Sequence, residues 1–385
     1  MKTALHCFAI APPGVEKLVA VEIAALGGKP VVVAGGVEFE ADAALLYRAN
    51  LELRCASRVV VRIAAFRART FFELERHAKK VPWTSYVKSG GAVALRVTAR
   101  KSKLYHEGAI AERLLRAIEG EVGHVRVGVA TVEQDDVTAT AGQLFIVRFL
   151  RDECVVSADA SGALLYMRGY RQAVAKAPLR ETLAAAVLRS AGWDGETSLL
   201  DPMCGSGTIP IEAALLARRI APGLASEGHQ PRAYAFEGWP TFDASAWSSV
   251  VSRAQSAILP RAAVQVAGSD RDTGAVTAAL SNAQRAGVAD DVAFEQRPLS
   301  DAAVPDADAW LVSNPPYGVR VGGGDVRDLY AAVGRLARTR LPEGRVALLT
   351  PEPGVAAFTG LPLQPVLETR NGGIPVRLMA GPSSS

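Results

Sequence analysis

From about Lys176 onward, short apolar runs alternate with helical patterns, and this alternation narrows the fold more than any other feature of the chain. L-R-E-T-L-A-A-A-V-L-R-S-A-G has apolar positions at helical spacing and ends on Gly192. T-S-L-L-D-P-M reads as a strand and I-E-A-A-L-L-A-R-R-I as a helix. V-Q-V-A-G-S-D and T-G-A-V-T-A-A-L-S-N-A-Q-R-A-G repeat the pair. V-A-F-E-Q, A-W-L-V-S, a helix over Asp328–Arg340 and R-V-A-L-L-T continue it. Buried strands separated by helices predict an α/β domain with a doubly wound, mostly parallel sheet. Ligands of such sheets bind beyond the carboxyl ends of the strands, so the residues just past those ends carry the functional information.

The N-terminal half has a different texture. A strand over Leu5–Ala11, a P-P-G turn, an amphipathic helix closed by Gly27–Gly28 and two short strands fill the first 55 residues. Residues 58–160 mix strands (V-V-V-R-I, V-A-L-R-V-T-A, L-F-I-V-R-F-L) with helices around Phe71–Lys80 and Gly108–Ile118, which predicts an α+β module. The opening M-K-T-A-L-H-C-F-A-I-A reads as a first strand rather than a secretion signal, since no small-residue cleavage pattern follows. No apolar stretch reaches membrane-spanning length. Cys7, Cys55, Cys154 and Cys204 lack C-x-x-C spacing, so reduced thiols in a cytoplasmic protein and no metal site are expected.

Charge is unevenly spread. The net charge of +4 combines an excess of basic residues up to residue 175 with a slight acidic excess beyond it. Within residues 58–116 there are 14 Lys and Arg against 4 Asp and Glu. This fits a polyanion held by the first half and processed by the second, and equally a solvated basic face.

Three motifs follow predicted strands. In L-L-D-P-M-C-G-S-G-T-I-P-I-E, Gly205 and Gly207 permit a tight turn against which a ligand can lie, with helix N–H groups facing it. A dinucleotide site wants a third glycine where Pro210 stands, and a Walker lysine is absent. Asp270, in A-G-S-D-R-D, can accept bonds from ribose hydroxyls, or it can cap the next helix, as can Asp272. Two nucleoside-type signals without a pyrophosphate fingerprint favour S-adenosylmethionine over a nicotinamide cofactor. The third motif is S-N-P-P-Y-G, residues 313–318. An exocyclic base amine is a poor nucleophile, because its lone pair is delocalised into the ring. The side-chain oxygen of Asn314 and the carbonyl of Pro315 can accept its hydrogens and favour the reactive tetrahedral geometry. Pro315 and Pro316 stiffen the loop, and Tyr317 can stack on a flipped base. Alone, the stretch fits a rigid turn with a packed tyrosine just as well. Cys204 lies in the glycine turn, not where a cytosine-attacking thiolate is needed.

Together, D-P-M-C-G-S-G-T-I-P-I-E, S-D-R-D and S-N-P-P-Y-G resemble the class I S-adenosylmethionine-dependent methyltransferases that modify exocyclic amines. L-Y-M-R-G-Y-R-Q-A-V-A-K-A-P-L-R-E-T-L-A-A-A, I-A-P-G-L, F-E-G-W-P and the late N-G-G resemble the bacterial THUMP-domain RNA methyltransferases, which include guanine-N2 enzymes of ribosomal and transfer RNA. F-A-I-A-P-P-G-V-E-K-L-V-A-V-E-I-A-A-L-G resembles that family's ferredoxin-like leader, and V-T-A-R-K-S-K-L-Y-H-E-G-A-I its THUMP core. The resemblance implies a ferredoxin-like domain over 1–57, a THUMP domain over 58–160, a linker over 161–175 and a Rossmann-like catalytic domain over 176–385. It assigns Asp201, Gly205, Ser206 and Gly207 to the methionine and ribose side of the cofactor, and Asp270 to the ribose hydroxyls. Asn314, Pro315, Pro316 and Tyr317 hold the base, while Arg100, Lys101, Ser102 and Lys103 face RNA phosphates. The family's acidic residue near adenine falls on Pro298 here, with Ser300 or Asp301 as its substitute. Residues 225–233 read as a small insertion on a surface loop. The implied activity is methylation of a guanine N2 amine in structured RNA, with large-subunit ribosomal RNA favoured and transfer RNA open. The alternatives are a DNA adenine-N6 methyltransferase and a non-catalytic RNA-binding or assembly factor.

Overall fold

Two sheets organise the chain in the computed structural model, which describes residues 4–133, 136–139, 142–172, 179–316, 320–321 and 324–384. The first is built from β1 (Leu5–Ile10), β2 (Val31–Val33), β3 (Gly36–Ala41), β4 (Arg58–Arg67), β5 (Ala92–Arg100) and β6 (Arg126–Val127). A separate hairpin of β7 (Ala130–Glu133) and β8 (Asp136–Ala139) precedes its last two strands, β9 (Gln143–Leu150) and β10 (Glu153–Asp159). The order is β2-β3-β1-β4-β10-β9-β5-β6. Strand β4 pairs antiparallel with β1 on one side and β10 on the other, so the two N-terminal segments share one continuous sheet.

Four helices accompany this sheet: α1 (Glu16–Ala25), α2 (Ala43–Glu52), α3 (Phe71–Ala78) and α4 (Glu107–Val122). Helix α3 begins with a capping box, in which the Thr70 hydroxyl accepts from Glu73 N–H and Glu73 accepts from Thr70 N–H. Such a box satisfies two of the helix's orphan donors reciprocally.

The second sheet comprises β11 (Leu199–Asp201), β12 (Val266–Asp270), β13 (Val292–Gln296) and β14 (Trp310–Ser313). After the short pair β15 (Arg320–Val321) and β16 (Gly324–Asp325) come β17 (Arg345–Thr350), β18 (Gln364–Asn371) and β19 (Ile374–Pro382). The order is β13-β12-β11-β14-β17-β19-β18. The first five strands are parallel, and β19 enters antiparallel beside β17. The expected doubly wound sheet is present, with an antiparallel hairpin on one flank that the helix–strand alternation does not announce. Helix α5 (Glu181–Ala191) leads into the sheet, α6 (Thr208–Ala217), α8 (Thr273–Ala286) and α9 (Val326–Arg340) lie in its crossovers, and α7 (Ala244–Ser256) belongs to an excursion between α6 and β12. Among the described residues, no helix is long and apolar enough to cross a membrane.

The excursion ties the halves together. Phe236 stacks on Tyr47 of α2 at 4.5 Å between ring centroids, and Trp247 meets both rings edge-on. Trp239 packs edge-on against Tyr86 and donates through Nε1 to Gln143 Oε1 at 2.6 Å. Each such aromatic pair contributes about 1 kcal/mol beyond its area burial. Of residues 225–233, Ala225 is buried and the others are half-buried or exposed. Arg232 is different: its guanidinium donates to the carbonyls of Ser161, Ala163, Leu164 and Met167 and so braces the connection between the halves.

Candidate active site

Parallel register brings the carboxyl ends of β11, β12 and β14 to one edge of the second sheet. Asp201, Asp270 and Ser313 end those strands. Each predicted motif therefore opens onto the same edge, although the three are far apart in sequence.

The glycine turn leaves β11 with two left-handed residues, Gly205 at φ +54 and Gly207 at φ +83. They serve different ends. A Cβ on Gly205 would meet nothing within 4 Å, so this glycine faces open space. One on Gly207 would lie 2.8 Å from the Phe294 ring and 2.9 Å from Ala279, so that glycine allows the turn to pack against β13 and α8. Gly207 also caps α6, whose third residue is Pro210, where no intrahelical N–H is needed. The close approach that a third glycine would provide is made from the strand instead: a Cβ on Gly268 of β12 would lie 3.2 Å from Pro210 Cγ. The buried Ser206 accepts at its carbonyl from Asn282 Nδ2 at 3.0 Å, which fixes the turn to α8.

Two carboxylates flank the turn. Asp270 Oδ2 accepts from Gly205 N–H at 3.0 Å, and its Oδ1 accepts from Asp272 N–H at 3.0 Å. The cap of α8 is Asp272, which accepts from Ala275 N–H, so capping does not explain Asp270. Asp201 is buried and accepts from Met203 N–H at 3.2 Å and from Ser313 Oγ at 2.6 Å. The Ser313 bond joins the ends of β11 and β14, and so fixes the start of the Asn314 loop beside the glycine turn. Sequence reading passed over Ser313, because a serine before an asparagine gives no periodic signal. Asn314 is half-buried, Pro315 is buried and Pro316 is exposed, whereas Tyr317 lies outside the described residues.

Burial raises Asp201 to about 7, with the Asp270 charge adding to it and the bonds from Ser313 and Met203 opposing it. Burial likewise pushes the Cys204 thiol upward, away from thiolate chemistry. The folded carboxyl thus titrates above its unfolded range. Asp201 costs the fold stability as pH rises from about 4 to about 7, and costs nothing below that window. Asp201→Asn should match the wild type in urea unfolding at about pH 3, where the aspartate is largely protonated in both the folded and the unfolded chain. At pH 8 it should be the more stable of the two, while binding the cofactor more weakly. Equal stability at both pH values would contradict the assigned burial of this charge.

The remaining expected residues are distributed as follows. Asp301 is exposed in the short turn Leu299–Asp301, after β13. On the other sheet, Arg100 ends β5, and Lys101, Ser102 and Lys103 form the turn after it. Ser102 shapes that turn, donating to Arg100 O at 3.0 Å and accepting from Asp152 N–H at 3.0 Å.

A buried network behind the site was also missed. Glu212 of α6 accepts from Arg168 Nε at 3.1 Å, from Arg168 Nη2 at 3.3 Å and from Tyr170 Oη at 3.1 Å. Arg168 also donates to the carbonyls of Leu165 and Arg54. Arg285 of α8 donates to Tyr170 O at 2.7 Å and to Asn282, the residue that holds Ser206. The glycine turn is thereby linked through buried polar groups to the N-terminal half.

Residues 168–357 match the family described as "RMKL-like, methyltransferase domain", and residues 6–60 match the "RlmL ferredoxin-like domain". A Synechocystis protein provisionally named an RNA methyltransferase is 32% identical over 97% of this chain and 95% of its own length. The chain belongs to the RMKL-like methyltransferase family. A Listeria monocytogenes structure carrying the name predicted N6-adenine-specific DNA methylase is 31% identical, with a TM-score of 0.83 over 98% of this chain and 96% of that one. SMU.472, a methyltransferase by provisional name and solved with SAH bound, is 29% identical, with a TM-score of 0.84 over the whole of both chains. The chain spans about half the length of the curated ribosomal RNA large subunit methyltransferases K/L that it matches, among them one from Syntrophotalea carbinolica that is 36% identical over 98% of this chain and 54% of its own length. This member of the family is a class I S-adenosylmethionine-dependent methyltransferase. The open space at Gly205 and the adjoining carboxylates suit a cofactor that carries ribose hydroxyls and positive charge.

Proposed function

We propose that this methyltransferase acts in the cytosol on the exocyclic N2 amine of a guanine in structured RNA, large-subunit ribosomal RNA before transfer RNA. The observation that carries the reading is the Ser313–Asp201 bond, which sets the Asn314–Pro315 segment next to the glycine turn. Bound S-adenosylmethionine supplies an electrophilic methyl group. Asp270 holds ribose hydroxyls, and the Asp201 carboxylate, when ionised, offers negative charge beside the turn. Asn314 and the Pro315 carbonyl accept the amine's hydrogens and localise its lone pair, while Tyr317 supports the base. Catalysis then rests on positioning and on dipoles aimed at developing charge. The names of relatives support RNA as the substrate, and the THUMP-like segment at 97–110 supports capture of a folded RNA.

Incubating the full chain with tritiated S-adenosylmethionine and either total RNA or genomic DNA tests this, followed by nucleoside digestion. N2-methylguanosine in RNA is the expected product. N6-methyladenine in DNA would replace the proposal with the reading that the Listeria neighbour's name favours.

A further inference from the structure

Among the described residues, the two most exposed aromatic side chains sit among positive charge, beside the first sheet rather than at the carboxyl ends of the second. Phe72 is 73% exposed and Tyr105 is 76% exposed. Phe72 lies in the first turn of α3, just past the end of β4, and Tyr105 stands two residues before α4, just past β5. The ends of β4, β10, β9 and β5 form one row, since Arg67 pairs with Glu153, Glu153 with Leu150, and Leu150 with Arg100. Asp152, in the turn between β9 and β10, draws the two aromatic segments together. Its carbonyl accepts from Ala68 N–H at 3.0 Å, its Oδ2 pairs with Arg69 at 3.4 Å, and its Oδ1 accepts from Lys103 N–H at 2.7 Å.

The charges around the two rings are unbalanced. Two acids here are turned to the backbone: Glu73 accepts from Arg69 N–H and Thr70 N–H, and Glu107 accepts from Ala99 N–H. Among the described residues, Arg100, Lys101, Lys103 and Arg151 have no carboxylate within ion-pairing distance. Two rings left in water among unpaired cations match a polymer that offers both flat π faces and phosphates. A double helix hides its base faces by stacking, so it presents the phosphates alone. Unpaired nucleotides present both, and base stacking on a side-chain ring is tolerant of sequence.

We infer that Phe72 and Tyr105 form a stacking platform for unpaired nucleotides of the RNA, with Arg100, Lys101, Lys103 and Arg151 tracking their phosphates. The inference rests on the RNA reading above and adds that the first sheet grips a single-stranded segment. Fluorescence anisotropy with a labelled single-stranded RNA dodecamer, and with the same strand annealed to its complement, tests it at one fixed salt concentration. The full chain should bind the single strand more tightly than the duplex. Phe72→Ala and Tyr105→Ala should each weaken single-strand binding about tenfold and leave duplex binding unchanged. Tyr105→Trp should keep wild-type affinity, and Lys101→Ala with Lys103→Ala should weaken both ligands and flatten the salt dependence. Cofactor titration of each variant verifies an intact fold. Alanine variants that bind the single strand like the wild type, or that lose both ligands equally, overturn the platform while leaving RNA as the substrate. A wild-type chain that binds neither RNA overturns both readings.

Discussion

Asn314→Ala should lower the methylation rate by about a hundredfold to a thousandfold, the usual loss when one preorganised partner of a developing charge is removed. The S-adenosylmethionine affinity should change little, because the carboxylates and glycines of the turn belong to β11, β12 and the start of α6 rather than to the Asn314 loop. Single-turnover methylation alongside calorimetric titration of the cofactor separates the two effects. Alanine removes an acceptor and leaves the backbone carbonyl of Pro315 in place, so a residual rate is expected. A wild-type rate would remove Asn314 from the chemistry, and a matching loss of cofactor affinity would recast it as a structural residue.

Glu212→Ala should destabilise the fold by about 3–5 kcal/mol, the typical cost of leaving one member of a buried ion pair without its partner. Arg168 would keep its bonds to the Leu165 and Arg54 carbonyls but lose its only described carboxylate partner, and Tyr170 Oη would lose its acceptor. Urea unfolding at neutral pH measures the loss. Replacing both members, Arg168→Met with Glu212→Leu, should recover much of it, since an apolar pair of similar volume carries no desolvation penalty. Recovery in the double variant identifies the uncompensated charge as the cause. If Glu212→Ala alone were as stable as the wild type, water would have to reach this site, contrary to its burial.

The parts of the fold that were legible in the sequence are those with a local signal. Strands β13 and β17 and helix α8 start and stop where apolar runs and Gly287 predict, and the three loop motifs converge because parallel strands end on the same side. The parts that were not legible depend on distant partners. Ser313 acquires its role from Asp201, 112 residues earlier, and Glu212 from Arg168 and Tyr170. Of the two roles open to Asp270, the helix cap falls to Asp272, and Asp270 accepts from Gly205 N–H across 65 residues instead. Arg232 shows the same limit from the other side. It lies within residues that read as a small insertion on a surface loop, yet its guanidinium holds four carbonyls of the connecting segment. Short polar contacts across long sequence separation leave no periodicity to detect.

The ring contacts of Tyr47, Phe236 and Trp247, together with the Trp239–Gln143 bond, have a consequence for target choice. They lock the first sheet, beside which Phe72 and Tyr105 stand, to the domain that carries Asn314, so the span between the proposed grip and the proposed methylation site is set by the protein. A fixed span works as a calliper. Under the proposed function, a guanine is then selected by how far it lies, through folded RNA, from the strand held at the grip. Lengthening or shortening that intervening RNA would move the mark to a different nucleotide, whatever bases surround it.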